Sequence, residues 1–321
     1  MNNITVIGCG RWGSFIAYYL DLIGKKVTLY GRETSKDFNN FKETRTNGKV
    51  VLKDTLKLTS SLDEALKNDV IVISINSQGL RALMKEITYK GVKNKTYILC
   101  MKGIEITTGK RLTEVVNEFI DESSNVAVWI GPGHVEEFVK GVPNCMVIDS
   151  SNEEVKEKLV KDFSSNLIRF YYGTDLIGNE LGAASKNVIG IGAGMLDGLG
   201  LSSLKGALMS RGTVEVSRFI KAMGGNELSA YGLCHLGDYE ATVFSKHSHN
   251  RMFGEMFVKG EEYTSLAEGY YTVNAMMNIA KDMNIELPIC ETIYNILYNK
   301  KDPKEELGKL FLRSIKKEFM D

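Results

Sequence analysis

Hydrophobic and polar positions follow two regimes along this chain. In the first half, short β-rich runs are separated by segments of helical spacing. Ile4-Thr5-Val6-Ile7 is followed by Phe15, Ile16, Tyr19, Leu20 and Ile23 at helical intervals, with Gly24 as the stop. Further strand-like runs fall at Lys26–Tyr30, Asp69–Ile75, Thr96–Met101, Val126–Ile130, Cys145–Asp149 and Ile168–Tyr172. Ser61–Lys67 and Gly79–Ile87 read as helices, the first opening on a Ser61/Glu64 capping box. The polar stretch Thr34–Thr59 shows no clear period. Strand–helix alternation predicts a parallel sheet covered by helices on both faces. From about Thr174 the pattern becomes almost entirely helical, and Asp302, Pro303 and Glu305 mark the start of a last helix. The boundary is a change of period, with no Pro- or Gly-rich linker, repeat or low-complexity tract.

The first strand runs directly into Gly8-Cys9-Gly10-Arg11-Trp12-Gly13, and a helix follows. This is the context in which GxGxxG binds a dinucleotide. The first glycine permits the turn, the second lets backbone approach a pyrophosphate, and the third lets helix and strand pack closely. The N-terminus of the helix offers N–H groups to the phosphates. The expected fold class is therefore α/β, with a Rossmann-type doubly wound domain over residues 1–174 and an all-helical substrate and catalytic domain over 175–321. Arg32 and Glu33 stand at the end of the second strand. An arginine there suits a 2′-phosphate and a glutamate suits a free ribose, so the cofactor is read as NAD(P)H, leaning to NADPH.

In the second half, a helix capped by Thr174 or Asp175 is expected to run to about Gly198. Ile177, Leu181, Ala184, Val188, Ile191 and Met195 recur at steps of 4, 3, 4, 3 and 4, giving one apolar face. Lys186 lies on the opposite side, and Gly182, Gly190, Ala193 and Asp197 fall within about 40° of it. Glycines inside a helix cost about 1 kcal/mol each relative to Ala, so something must approach closely there. A bound substrate and nicotinamide would explain them, and so would tight helix packing. Ser245-Lys246-His247-Ser248-His249-Asn250-Arg251 reads as a polar loop entering a helix N-terminus, a place that suits an anion. His247 and His249 are close, yet no carboxylate or cysteine completes a metal ligand set. Lys102 follows a candidate strand, at the sheet end where ligands of such folds bind.

Composition narrows the choice. The 321 residues carry 40 Lys+Arg and 40 Asp+Glu, a formal net charge of zero, which argues against a nucleic-acid binder. Five scattered cysteines without a CxxC pair indicate neither a disulfide framework nor zinc, and fit a reduced, cytoplasmic setting. The most apolar stretch, Val188–Leu201, is glycine-rich and broken by Asp197, so no membrane span is expected. The N-terminus opens on a strand pattern and does not read as a signal peptide.

Together these motifs resemble the soluble bacterial NAD(P)-dependent glycerol-3-phosphate dehydrogenases over nearly the whole chain. The resemblance rests on Gly10-Arg11-Trp12-Gly13, Lys102-Gly103, Ile130-Gly131-Pro132-Gly133, Lys186-Asn187-Val188-Ile189 and Asp197-Gly198-Leu199-Gly200. It continues through Arg211-Gly212, the Gly232–Asp238 motif, Asn250-Arg251-x-Phe253-Gly254, Glu268-Gly269 and Leu287-Pro288-Ile289. The resemblance implies that Lys186 donates and accepts the proton, supported by Asp238. It implies that Lys102, Gly131, Gly133, Ser248, His249 and Asn250 join them in holding dihydroxyacetone phosphate or sn-glycerol 3-phosphate. It assigns Gly8, Gly10, Arg11, Trp12, Gly13, Arg32, Lys102, Val135, His249, Leu266 and Glu268 to the cofactor. A homodimer and a role in glycerophospholipid synthesis are further implications. The chain departs from the family pattern at His249, where Arg is usual, at Gly133-His134, where Ser-Phe is usual, and at Asn76, where Pro is usual. An imidazole cannot give phosphate the paired hydrogen bonds of a guanidinium, and its charge depends on pH, with loss expected through pH 6–8. The departures keep two alternatives in view: a related two-domain reductase, ketopantoate reductase-like or 3-hydroxyacid dehydrogenase-like, and a non-catalytic nucleotide sensor.

Overall fold

The strands of the protein are β1 (Asn3–Ile7), β2 (Lys26–Tyr30), β3 (Lys57–Thr59), β4 (Val70–Ile73), β5 (Thr96–Leu99), β6 (Asn125–Ile130), β7 (Asn144–Ser150) and β8 (Ile168–Tyr172). They form one sheet in the order β3-β2-β1-β4-β5-β6-β7-β8 in a computed structural model that describes residues 1–314 and Glu318. β1 sits between β2 and β4, with Ile4–Ile7 in register with Val27–Tyr30 on one side and Val70–Ile73 on the other. The helices of this half are α1 (Arg11–Leu22), α2 (Lys36–Thr44), α3 (Leu62–Ala65), α4 (Leu80–Tyr89), α5 (Leu112–Asn117), α6 (Val135–Val139) and α7 (Glu153–Phe163). Side chains alternate across the sheet. Val70 and Val72 join a core with Phe15, Phe41 and Phe163, whereas Ile71 and Ile73 join one with Leu83, Ile87 and Val115. Both faces are covered, which is why these strands read as continuous apolar runs.

The expectation of a wholly parallel sheet is corrected at one edge. β7 pairs antiparallel with β6, with Ala127 opposite Ser150 and Ile130 opposite Val147, and β8 then runs parallel to β7. The connection after β6 carries the five-residue α6 and returns the chain along the edge of β6 in the opposite direction. The unassigned stretch Thr34–Thr59 contains α2, capped by Ser35 and anchored by buried Phe38 and Phe41, and the three-residue β3. The Ser61/Glu64 capping box forms only by half. Ser61 accepts from the Glu64 N–H, but the Glu64 carboxylate turns to Lys57 and Lys67.

The second half consists of α8 (Leu176–Gly198), α9 (Lys205–Ala222), α10 (His249–Lys259), α11 (Glu268–Met283), α12 (Pro288–Leu297) and α13 (Pro303–Phe311), with short 3₁₀ and π turns between. Asp302 caps α13 through the Glu305 N–H at 2.9 Å, as its sequence predicts. Asp175 occupies the N-cap position of α8 but does not cap it. Its carboxylate accepts from the Asn226 N–H and the Ser229 hydroxyl instead. α8 was expected to show one apolar face, yet every residue from Glu180 to Leu196 is buried. It is the axis around which the other helices pack.

The glycines of α8 are explained by packing. A Cβ on Gly194 would lie 1.9 Å from the Arg251 carbonyl oxygen, and one on Gly254 of α10 would lie 2.1 Å from that of Ile191. On the Lys186 side, Gly190 meets the Thr242 methyl and Gly182 meets His235. The close approach predicted there comes from the protein itself. Gly194→Ala is expected to cost about 1–3 kcal/mol or more, because backbone must move to admit the methyl. Gly206→Ala, at an exposed position near the start of α9 with open space around it, is expected to be neutral or stabilising by up to about 1 kcal/mol. Thermal melting of the two variants checks both.

Candidate active site

The carboxyl end of the sheet meets α8 at a buried carboxylate. Asp238 lies in a 3₁₀ turn, Leu236–Asp238, with its side chain 1% exposed. Its Oδ2 accepts from Lys186 Nζ at 2.9 Å and from Lys102 Nζ at 2.6 Å. Lys102 follows β5 and also donates to the Gly131 carbonyl oxygen at 2.7 Å. Lys186 donates in addition to Thr242 Oγ1 at 2.6 Å, and that hydroxyl donates to the Asp238 backbone carbonyl at 2.7 Å. One turn of chain thus holds Asp238 at its side chain and its main chain at once. Asn187 Nδ2 donates to the Lys102 carbonyl, Asn250 Nδ2 donates to Asn187 Oδ1, and the Gly269 N–H donates to Asn250 Oδ1. This chain ties the sheet to the starts of α10 and α11.

Burial is the largest influence on Lys186 and pushes its ammonium down to about 8; Lys102 acts the same way and Asp238 opposes. An amine near that value can both give and take a proton close to neutral pH, which suits general acid–base work.

A cavity of about 390 Å³ opens above this triad. Of the residues predicted from sequence, Arg11, Trp12, Lys102, Gly133, Val135, Lys186, Asp238, Ser248, His249, Asn250, Leu266 and Glu268 line it. Gly131 enters through its carbonyl bond to Lys102, outside the lining. Gly8, Gly10 and Gly13 form the turn at its edge, and Arg32 is exposed at the end of β2, away from the lining. Glu33 accepts from the Ser60 hydroxyl.

The glycine turn fits a dinucleotide. Gly8 has φ +111°, and a Cβ there would lie 2.1 Å from the Ser74 carbonyl oxygen; one on Gly13 would lie 2.1 Å from that of Gly8. Gly10, by contrast, faces open space and has ordinary extended dihedrals. No side chain caps α1. Two glycines are thus used by packing and the middle one leaves a free approach to the helix N-terminus, which is the division of labour a pyrophosphate requires.

Arg11 is engaged within the protein. Its guanidinium pairs with Glu136 at 2.5 Å and donates to the His247 carbonyl, while Lys49 lies 3.2 Å from the same Glu136. Ser248 caps α10 through the Arg251 N–H. His249 Nδ1 is hydrogen-bonded with the Tyr263 hydroxyl. Burial, then the nearby Arg11, hold His249 below its ordinary value. In the free protein the ring therefore loses its charge at lower pH than an ordinary imidazole. The Glu268 carboxylate accepts from the Ser77 N–H and hydroxyl. Sequence reasoning missed Thr242, Tyr263 and Glu136. Thr242 stands four residues after Asp238 on a helical turn, a spacing that could have indicated it. Among the described residues no group of His, Cys, Asp or Glu could hold a metal, and no helix is long and apolar enough to cross a membrane.

A dinucleotide turn facing a buried lysine of lowered basicity, across the seam between a doubly wound sheet and a helical half, defines a nicotinamide-dependent oxidoreductase. The chain belongs to the NAD-dependent glycerol-3-phosphate dehydrogenase family, whose N-terminal model matches residues 3–156 and C-terminal model residues 175–308. It is 35% identical to a glycerol-3-phosphate dehydrogenase [NAD(P)+] of Thermoanaerobacter sp. (strain X514), with 98% of each chain covered. It is 36% identical to one of Thermotoga sp. (strain RQ2), again over 98% of each. The crystal structure of glycerol-3-phosphate dehydrogenase from Coxiella burnetii superposes with a TM-score of 0.90 at 27% identity, covering 97% of this chain and 99% of that one. A 2-dehydropantoate 2-reductase structure from Enterococcus faecalis reaches a TM-score of 0.56 at 14% identity, a likeness of fold alone.

Gly10→Ala is expected to leave the melting temperature of the free protein within about a degree, because the methyl enters open space, and to weaken nicotinamide cofactor binding at least 10-fold. Calorimetric titration with NADH and NADPH beside a thermal melt separates the two effects.

Proposed function

We propose that this protein catalyses the reversible, NAD(P)H-dependent reduction of dihydroxyacetone phosphate to sn-glycerol 3-phosphate. The observation that carries this reading is Lys186, buried at the floor of the cavity, shared between Asp238 and Thr242, and pushed down to about 8. Gly8, Gly10 and Gly13 would cradle the pyrophosphate, with Arg11, Trp12, Lys102, Val135, His249, Leu266 and Glu268 around the remainder. Reduced nicotinamide, when bound, supplies a hydride to the C2 carbonyl carbon. Lys186 donates to the carbonyl oxygen and passes its proton there as negative charge builds. Preorganised ammonium groups in a site shielded from water stabilise that charge strongly. Asp238 and Thr242 keep the amine in place, so the same atom accepts the proton in the reverse direction. Lys102, with Gly131, Gly133, Ser248, His249 and Asn250, would hold the phosphorylated three-carbon chain. We assign residues 1–174 to the cofactor and 175–321 to substrate and proton transfer. Arg32, exposed at the ribose end, favours NADPH, and Glu33 serves NADH. A cytoplasmic homodimer making the backbone of glycerophospholipids completes the reading.

The direct test follows reduced-nicotinamide absorbance with dihydroxyacetone phosphate, using NADH and NADPH in turn. Rapid oxidation is expected, with the rate ratio deciding between Arg32 and Glu33. No oxidation despite demonstrated cofactor binding would overturn the reading. Lys186→Ala is expected to lower kcat by about 10²–10⁴-fold with cofactor affinity intact, the range of general acid catalysis. Near-wild-type turnover would remove Lys186 from this role. The sign of the pH dependence follows from the two directions. Ketone reduction needs the ammonium and should fall as pH rises through about 8, whereas alcohol oxidation needs the amine and should rise over the same interval.

At His249, burial and then Arg11 lower the pH at which the ring loses its charge in the free protein. The substrate KM is therefore expected to change through that group only below its ordinary range, and little between pH 7 and 9. His249→Arg restores a permanent bidentate cation and should lower KM for dihydroxyacetone phosphate several-fold above pH 7. A KM for His249→Arg equal to that of the wild type above pH 7 would remove His249 from the phosphate site.

A further inference from the structure

His235 is completely buried and is not part of the chemistry described above. It stands three residues before Asp238, and its ring is hydrogen-bonded at both nitrogens. Nδ1 lies 2.9 Å from the Gly182 carbonyl oxygen and Nε2 lies 2.7 Å from the Tyr239 hydroxyl. A carbonyl can only accept, so Nδ1 carries the proton. The bare Nε2 of a neutral imidazole then accepts from Tyr239. Gly182 is one helical turn before Lys186, and its carbonyl is the one the Lys186 N–H reaches in an α-helix. The missing side chain of Gly182 is what admits the histidine, since a Cβ there would lie 3.1 Å from His235 Cβ.

The backbone around Asp238 hangs from the same residue. The Asp238 N–H donates to the His235 carbonyl at 3.0 Å, and the His235 and Gly237 N–H groups both donate to the Gly232 carbonyl. Tyr239, the next residue, returns to the His235 ring and packs edge-on against it at 4.8 Å. Asp238 is thus bracketed by a side-chain link from residue 235 to residue 239, and the bracket is clamped to α8 one turn from Lys186.

We propose that His235 is a positioning residue that, with Tyr239, fixes the Asp238 carboxylate against Lys186 and so sets the pH range in which that lysine holds its proton. The inference rests on the reading of Lys186 as the proton donor. The ring is suited to this task because it stays uncharged: burial, with Lys186 next to it, pushes it down to about 4, despite the Gly182 bond and Asp238 acting in the other direction. Among the described residues, Lys186 and Asp238 face His235, Lys102 and Asp238 face Lys186, and Cys290 and Glu215 act on Tyr239.

Loosening Asp238 weakens the influence that favours the proton on Lys186, so the lysine should lose it at lower pH. In His235→Leu the alkaline limb of kcat for ketone reduction is expected to move down by roughly 0.5–1 pH unit, with kcat at the optimum falling on the order of 10-fold. The cofactor KM should not change. His235→Asn, whose Nδ2 can take the place of Nδ1–H on the Gly182 carbonyl, should recover most of the shift. Tyr239→Phe strips the partner of Nε2 and should move the limb the same way by a smaller amount.

A limb fixed at its wild-type pH in His235→Leu, with only the melting temperature lowered, overturns the proposal, as does Asn performing no better than Leu. Should the Leu variant fail to fold, the Tyr239→Phe profile decides, and a limb unshifted in that variant overturns it. The reading of Lys186 is tested separately. A wild-type profile without an alkaline limb, or Lys186→Met with retained turnover, removes that reading and this proposal with it. A normal wild-type limb, an inactive Lys186→Met and an unmoved His235→Leu limb remove the positioning role alone.

Discussion

Asp238 holds two ammonium groups from opposite halves of the chain on one oxygen, in a position closed to water. Withdrawing a charge from water costs several kcal/mol, and removing a partner from a buried pair leaves that cost uncompensated. Each lysine therefore depends on Asp238, and Asp238 depends on both. Because Lys102 belongs to the end of the sheet and Lys186 to α8, the same ion triad joins the two halves. Other ties cross the seam beside it: Arg111 and the Thr113 N–H and hydroxyl converge on Glu180 near the start of α8, and Ser77 meets Glu268 at the start of α11. The cavity lies where these ties converge, so its shape is a consequence of how the halves are held together.

The triad also balances two opposed requirements. An exposed lysine would keep its proton to well above pH 10 and release it to a growing alkoxide with little effect on rate at neutral pH. A lysine buried without a carboxylate would be neutral before it met substrate. Burial brings Lys186 down and Asp238 limits the fall, leaving it near 8. The remaining geometry serves that balance. Thr242 occupies one lone pair–donor position on each side, Gly190 makes room for Thr242, and Gly182 makes room for His235. Small residues on the lysine side of α8 keep ordered groups, and not solvent, next to the amine.

Much of this was legible in the residues. The glycine turn, the end of β5 at Lys102, the length of α8 and the cap at Asp302 all follow from local spacing, because each is set by backbone requirements that the residue types express directly. β3 and α2 were not legible. β3 has three residues, too few for a period, and α2 is a polar helix whose burial rests on Phe38 and Phe41. The reversal of β7 was hidden for another reason: an apolar run reads the same in either direction, and the direction of β7 shows only in its pairing with β6. At the site, spacing placed Lys186 on a small-residue face, but it could not say whether ligand or protein filled that face. Thr242 had one local signal, its four-residue spacing from Asp238, but its bond to Lys186, that of His235 to Gly182 and that of Tyr263 to His249 join segments distant in sequence, and no local pattern encodes those.

Gly133, His134 and His249, where the chain departs from the family pattern, line the cavity, and electrostatics suggests what they change. Arg11 is shared between Glu136 and the His247 carbonyl, Lys49 also faces Glu136, and His249, beside Tyr263, loses its charge at lower pH than an ordinary imidazole. Little uncommitted positive charge is left there in the free protein. The floor differs, because two ammoniums share a single carboxylate and leave one positive charge in a buried place, where it is screened least. On the proposed reading, an anionic substrate is therefore drawn chiefly by the floor, beside the reacting carbonyl. At the His249 end its phosphate meets a cation only when it draws a proton onto that ring. Phosphate binding there is coupled to a change of charge on the protein, so recognition at that end is conditional where an arginine at position 249 would make it permanent.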